Sequence, residues 1–549
     1  MTDRILVCVA WPYANGSQHL GHIAGNNLPA DIFARYHRAR GARVLMVSGS
    51  DMHGTPITVR ADREGRTPLE VAEQFHREFL RTWEALGIQY DLYTTTATDN
   101  HREVVWSLYR RLLERGYLYR AKTQQLYDPQ AGRFLPDRYV EGTCPRCGFD
   151  HARGDECEQC GATLDAVDLI EPRSRLTGVK PELRETEHYF MRFSAFQDRL
   201  VEWVRTQTHW RDHVRNFTLG FLGEGLRDRA ITRDLEWGIP MPPEMQDIGP
   251  GKAFYVWAEN IIGYLSASVE WAARQGTPDA WKDWWENPEA RAYYFMGKDN
   301  ITFHTINWPA MLMGHGGLNL PHDVPANHYV VWGGAKASKS AGAAPYALDY
   351  ARRFGADAVR YYLSAVMPES SDTDVSDDDL IRRNNDELVA TWGNLAHRVL
   401  TFTYRNFQGR VPDPGPLDAR DRALLSRAER AVAEAGAHLE GCRFKAALGA
   451  AMGLAQDANR YLDETAPWKT LRDDRAAAAR SLYVALALIN ACKVAFSPFL
   501  PFSSQELHEG LGFEGRVGDA WEARPVPQGQ GLREPRPLFK KIEAAEALS

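Results

Sequence analysis

Cysteine is scarce in this chain, seven in 549 residues, too few for a scaffold held together by disulfides. Long apolar runs are missing as well. The best candidate, Leu482 to Phe496, is broken by Asn490 and Lys493 and falls short of the roughly 18 residues that a membrane helix needs, so no membrane association is expected. Positive charge is not in excess: 65 Lys+Arg stand against 72 Asp+Glu, a net charge of −7. That balance excludes nucleic-acid binding by bulk charge and leaves any RNA to a local patch. The stretch Met1 to Ala10 lacks the layout of a signal peptide and reads as a strand of a cytoplasmic protein. Neither a Walker A motif nor a dinucleotide fingerprint is present, since Ala253 follows Lys252 where a Ser or Thr is required and Gln246 replaces the first Gly.

What the chain does have is 44% hydrophobic residues, enough for about three domains at roughly 100–200 residues each. Ile5 to Ala10 and Val44 to Val47 are apolar runs of strand length, separated by a helical stretch from His19 to Arg40. This is the pattern of a parallel βαβ unit. Pro29 predicts a kink or break in that helix. The layout resumes at Phe254 to Tyr264 and Tyr293 to Met313, so the α/β unit is split by an insertion rich in Gly, Pro and charge. From about Asp377 the sequence turns to Ala-, Leu- and Arg-rich helices, Asp418 to Ala437, Phe444 to Leu462 and Asp474 to Phe496, which predict a bundle. The acidic cluster Asp372, Asp374, Asp377, Asp378 and Asp379 reads as a linker with a helix cap and first-turn carboxylates. The predicted boundaries are 1–119 and 238–370 for the two halves of the α/β domain, 120–237 for the insertion, 371–510 for the bundle and 511–549 for an irregular tail.

Three constellations carry chemistry. The first is Ala10-Trp11-Pro12-Tyr13-Ala14-Asn15-Gly16-Ser17-Gln18-His19-Leu20-Gly21-His22, which leaves the first strand and opens a helix. Helix N-termini attract phosphate, Gly21 lets a ligand approach the backbone, and two imidazoles three apart can reach one anion. The second is Lys336-Ala337-Ser338-Lys339-Ser340, after Gly333-Gly334. Two ammonium groups on a flexible loop can neutralise a departing pyrophosphate. Taken singly, the first reads as surface or core-edge histidines and the second as a solvated loop. The third is Cys144, Cys147, Cys157 and Cys160, a C-x2-C-x9-C-x2-C pattern with Gly148 and Gly161 after the second cysteine of each pair. It favours one tetrahedral zinc over a redox site. Four thiolates leave no open position, so the zinc is expected to be structural.

H-L-G-H and K-A-S-K-S resemble the HIGH and KMSKS signatures of class I aminoacyl-tRNA synthetases. W-P-Y-A-N-G, Ser50-Asp51-Met52-His53-Gly54-Thr55-Pro56 and Gly297-Lys298-Asp299 with Phe303-His304 and Trp308-Pro309 narrow the resemblance to the methionyl family, over nearly the whole chain. The resemblance implies a split Rossmann-like parallel-sheet α/β catalytic domain with a zinc-knuckle insertion, followed by an all-α anticodon-binding bundle. It implies methionine activation by ATP and Mg²⁺, then transfer to the 2′-hydroxyl of the terminal adenosine of methionine tRNA, initiator and elongator. His19, His22, Lys336 and Lys339 are the implied catalytic residues, and Gly21, Gly297, Asp299, Ser338 and Lys339 the implied ATP contacts.

A thioether offers no strong hydrogen bond, so its recognition needs shape, aromatic contact and a clamp on the ammonium and carboxylate. The resemblance supplies Ala10, Trp11, Tyr13, Trp257, Tyr264, His304 and Trp308 for the pocket and Asp51 for the ammonium. Asn394, Arg398 and Trp468 match its anticodon-reading positions, a stacking platform with two hydrogen-bonding side chains. Three places depart from the family pattern: Trp11, the run Ala258-Glu259-Asn260-Ile261, and Ala337. A synthetase for leucine, isoleucine or valine is the alternative within the class, although the insertion of about 118 residues leaves little room for an editing domain. A non-catalytic tRNA-binding paralogue is the alternative outside it. The chain ends soon after Pro537 to Glu543, which predicts a monomer.

Overall fold

A computed structural model describes residues 3–543 except 137–138, 155–156, 158, 161–163, 333–334 and 337–344; for 335–336 it describes the backbone only. At its centre are four parallel strands, β1 (Arg4–Val9), β2 (Arg43–Ser50), β3 (Leu92–Thr95) and β4 (Arg291–Phe295), in the spatial order β4-β1-β2-β3. Ile5 stands beside Val44 on one side and Arg291 on the other. Both faces of β1 are buried, as its unbroken apolar run requires. Ile5, Val7 and Val9 enter one hydrophobic cluster and Leu6 and Cys8 another, by the two-residue period of a strand. The chain steps outward from β1 to β2 and β3, then returns to the opposite flank of β1 as β4. The order therefore reverses between β1 and β4, and the crevice at their carboxyl ends is where such a sheet binds ligands.

The helical stretch after β1 does not break at Pro29. It runs as Leu20–His22, a π-helical turn Ile23–Asn27, then Leu28–Ala39. Proline has no N–H to give to the turn below, and the wider π turn absorbs the missing bond without ending the helix. The same arrangement recurs at Phe303–Asn307 before Trp308-Pro309.

Within the insertion, strands Leu118–Asp128 and Glu182–Met191 form a long antiparallel ladder from Leu118↔Met191 to Tyr127↔Glu182. The cysteine lobe hangs from its far end and carries a small core of its own around Leu126, Leu135, Tyr139 and Val140. Helices Ala419–Glu440, Phe444–Thr465 and Arg475–Phe496 make the bundle. Their starts are set by chemistry visible in the sequence: Asp418 and Asp474 accept the N–H groups of Asp421 and Ala477. Helix Arg475–Phe496 is long and apolar enough to cross a membrane by composition, yet 89% of its most apolar window is buried inside the protein.

Bundle and sheet share one hydrophobic cluster, from Ile5 and Phe33 to Trp392 and Leu488. Arg360, wholly buried, pins the junction: it pairs with Asp31 at 2.7 Å and donates to the carbonyls of Leu86, Pro498 and Phe499. In the acidic cluster, the cap of helix Asp377–Arg383 is Ser376, and Asp377, Asp378 and Asp379 fill its first turn. The irregular tail beyond 511 folds back, Trp521 donating to Ala39 O and Ile542 to Asn385.

Candidate active site at the switch point of the sheet

The loop after β1 is fastened to the ends of both neighbouring strands. Ala10 N donates to Phe295 O, Asp51 N to Pro12 O and Ala14 N to Asp51 O. His19 then caps the helix: its Nδ1 accepts from Gly21 N at 3.1 Å, while His22 Nδ1 accepts from His19 N at 3.2 Å. An accepting Nδ1 leaves the proton on Nε2, so each ring presents an N–H away from the backbone. The ring centroids lie 3.6 Å apart. Gly21 is required, because a Cβ there would stand 2.9 Å from the His19 ring.

The lysine loop is planted on the same segment. Strand Val330–Trp332 pairs with Ala335–Lys336, and Val330 packs beside Gly21. Where the chain is described again, Leu20 N donates to Pro345 O and Ala347 N to Gln18 O. Both feet of the loop thus stand beside His19 to His22. Ala337, Ser338 and Lys339 lie outside the described residues, as does the side chain of Lys336. Gly297 and the exposed Asp299 follow β4 directly. Lys298 between them is held at 2.8 Å by Asp372, a member of the acidic cluster.

Next to this lies an aromatic cluster. Tyr264 OH bonds His304 Nε2 at 2.7 Å, and His304 Nδ1 bonds Asn300 O at 2.8 Å. A carbonyl only accepts, so Nδ1 carries the proton and Tyr264 donates to Nε2. Burial pushes the His304 pKa down to about 4, keeping the ring neutral. Trp257 stacks on Phe303 at 4.5 Å and meets Tyr13 edge-on at 5.8 Å. Trp308, fully buried, stands a layer further back and donates to Tyr294 OH, whose ring meets Tyr264.

The departures at Trp11 and at Glu259-Asn260 turn out to be parts of one assembly. The Trp11 indole slides between two glycines; a Cβ on Gly49 would stand 2.3 Å from it and one on Gly263 2.7 Å. Its ring stacks over His101. Glu259, fully buried, is gripped by His53 Nδ1 at 3.0 Å and His101 Nε2 at 2.7 Å. Burial opposes its charge, yet the two histidines hold its carboxyl below the usual value. Asp51, also fully buried, accepts from Asn260 Nδ2 at 3.0 Å and His53 N at 3.2 Å. Burial, with the nearby Glu259 charge, pushes its pKa up to about 7. Sequence reasoning found Asp51 but missed Glu259, His53, His101 and Asn260 as its neighbours.

The cysteine quartet closes as expected. All four sulfurs lie within 4.8 Å of one another, with Cys144–Cys160 at 3.9 Å and Cys147–Cys157 at 3.6 Å. Tetrahedral zinc with bonds of about 2.3 Å puts its sulfurs about 3.8 Å apart, so this donor set can hold a metal ion and fits zinc. Gly148 makes its turn at φ +77°; Gly161 lies outside the described residues. In the bundle, Arg398 lies over the Trp468 ring at 4.8 Å. Asn394 and Arg398 line an open cleft with Ala390, His397 and Asn459, three residues the sequence did not single out. Ala466, two residues before Trp468, is held at φ +40°, a strained value for a residue with a side chain.

Comparison with known proteins agrees with this geometry. Residues 5–400 match the family of class I tRNA synthetases (M), and 411–548 match the anticodon-binding domain of methionyl tRNA ligase. A methionine–tRNA ligase of Dehalococcoides mccartyi is 55% identical over 544 residues, 99% of this chain and 98% of the relative. One from Chloroflexus aurantiacus is 48% identical over 586 aligned positions, covering 99% and 97%. Among solved structures, a Mycobacterium tuberculosis methionyl-tRNA synthetase in complex with methionyl-adenylate superposes with a TM-score of 0.81 at 28% identity, covering 98% of this chain and 100% of that one. The chain therefore belongs to the methionyl-tRNA synthetase family, the class I ligases that join methionine to its tRNA.

Proposed function

We propose that the crevice between β1 and β4 activates methionine and charges it onto the terminal adenosine of initiator and elongator methionine tRNA, with the following division of labour. Asp51 takes the methionine ammonium. Ala10, Trp11, Tyr13, Trp257, Tyr264 and His304 enclose the side chain, and Trp308 backs the pocket. The single observation that carries the reading is that one short segment, Gln18 to Gly21, touches both feet of the lysine loop. The Nε2–H groups of His19 and His22 and the ammonium groups of Lys336 and Lys339 then face one phosphate chain, with Gly21, Gly297, Asp299 and Ser338 around the rest of ATP.

The methionine carboxylate attacks the α-phosphorus, the bond to the β-phosphate oxygen breaks, and pyrophosphate leaves with that electron pair. The nucleophile is already ionised, so no general base is needed. Rate comes from positioning and from cationic donors that meet the charge growing on the phosphate oxygens. Mg²⁺, which arrives with ATP, supplies further charge neutralisation. In the second step the 2′-hydroxyl of the terminal adenosine attacks the methionyl carbonyl, the bond from that carbon to the phosphate oxygen breaks, and AMP leaves with that electron pair and takes up the hydroxyl proton. The segments 1–119 and 238–370 form the catalytic domain on this reading, and 120–237, with its single structural zinc on the four cysteines, handles the acceptor end. Asn394, Arg398 and Trp468 in 371–510 read the anticodon, and the protein acts as a cytoplasmic monomer.

The test is methionine-dependent exchange of pyrophosphate into ATP, compared with leucine, isoleucine, valine and homocysteine, in the wild type and Lys339→Ala. Exchange preferring methionine and lost in the variant supports the assignment. Preference for another amino acid overturns the pocket, and undiminished exchange in the variant overturns the role of the loop.

A further inference from the structure

The π turn beneath the His19–His22 segment leaves a debt in its hydrogen bonding. Leu28 N donates to Ile23 O, five residues back. One place along, the nitrogen that should reach the buried Ala24 O is that of Pro29, which has no hydrogen. A buried carbonyl without a donor is rare and costly. Here the donor comes from 303 residues away: Asn327 Nδ2 reaches Ala24 O at 3.0 Å.

Asn327 is fully buried and wholly committed. Its own N–H donates to Met296 O and its carbonyl accepts from Lys298 N, so its backbone forms one side of the turn that leaves β4 and presents Gly297 and Asp299. Its amide cannot flip, because Arg211 donates to Oδ1 at 2.7 Å and an arginine never accepts. The same guanidinium also bonds Ala326 O and Glu369 O, and reaches Cys442 O in the bundle at 3.0 Å. One side chain thus ties the helix that carries His19 and His22 to the strand end that carries Gly297 and Asp299.

We propose that Asn327, with its amide orientation set by Arg211, is a positioning residue for adenylate formation: it holds the two halves of the ATP site in register through the carbonyl that Pro29 leaves open. This rests on the assignment of His19 and His22 to ATP. The pocket around Tyr264, His304 and Asp51 does not depend on the bond, so kcat should respond and the methionine KM should not.

Asn327→Ala is expected to lower kcat of methionine-dependent pyrophosphate exchange about tenfold, equivalent to about 1.4 kcal/mol, with the methionine KM unchanged. Asn327→Asp keeps the size and the contact with Arg211 while replacing the donor by an acceptor, and should show the same fall even if the alanine variant folds poorly. Pro29→Ala restores a backbone N–H below Ala24 O. Alone it should leave exchange near wild type; combined with Asn327→Ala it should recover kcat to within about twofold. A general loosening of the core would not be rescued this way. An undiminished kcat in both Asn327 variants, or an equal fall in the presence and absence of Pro29, overturns the proposal. Absence of exchange in the wild type would instead overturn the functional assignment itself.

Discussion

Asp51 sits at odds with its surroundings, and the conflict is measurable. Its carboxyl is fully buried and its pKa is pushed from 3.8 up to about 7. In the unfolded chain the proton leaves near 3.8; in the folded protein it stays until about 7. Stability therefore falls as pH rises through that window and levels off above it. Three pKa units at 1.36 kcal/mol each make the ionised carboxylate a liability of about 4 kcal/mol at pH 8. Asp51→Asn, of equal size and uncharged, should raise the thermal midpoint at pH 8, have a smaller effect near pH 5.5 and little near pH 4. In its proposed role the same carboxylate must ionise to take the methionine ammonium. About one molecule in eleven is ionised at pH 6 and about ten in eleven at pH 8, so the methionine KM should be about tenfold higher at pH 6. Unfolding curves of the two proteins across pH, with the pH profile of the wild-type KM, check both halves. A KM that is flat between pH 6 and 8, with an Asn variant no more stable at pH 8, would refute the reasoning.

Gly263→Ala drives a methyl into the Trp11 indole; overpacking of this kind costs about 1–3 kcal/mol, so the methionine KM should rise about tenfold, with relief when Trp11→Leu opens the slot. Cys147→Ser should reduce bound zinc, measured by atomic absorption, from one per chain to near none. Loss of the proposed zinc is expected to loosen the lobe's small core, so tRNA charging should fall further than pyrophosphate exchange. Trp468→Ala removes the ring that Arg398 covers; stacking on a base is worth about 1–3 kcal/mol, so kcat/KM for tRNA should drop at least about fivefold while tRNA-independent exchange is unchanged.

Much of this was legible in the chain because the signals are local. The apolar run of Ile5 to Val9, the starts of the bundle helices at Asp418 and Asp474 and the cysteine spacing each lie within a few turns of backbone, and the structure places them as read. The conformation around Pro29 was harder. A proline states which hydrogen bond is missing but not whether the helix will bend, stop or widen, and here the carbonyl it leaves open is met by Asn327, 298 positions away in sequence. The run Ala258 to Ile261 reads as a departure when only its own residues are considered. Its purpose appears once His53, from the loop after β2, and His101, from helix Asp99–Glu114, close on Glu259. Pairings across such sequence distances are fixed by topology, and no short window contains them.

The buried Arg360 junction also bears on how a large RNA is selected. A reader on a flexible tether would accept its triplet at any distance from the crevice. Here the bundle grows out of the same apolar core as the sheet, and the guanidinium fastens helices on both sides of the seam. The span between the Trp468 cleft and the His19–His22 segment is thereby set like the jaws of a fixed gauge. On the proposed assignment of the Trp468 cleft to the anticodon, a transcript carrying the right bases on a stem of the wrong length would fit one jaw and miss the other, and selection would then include a measurement of length.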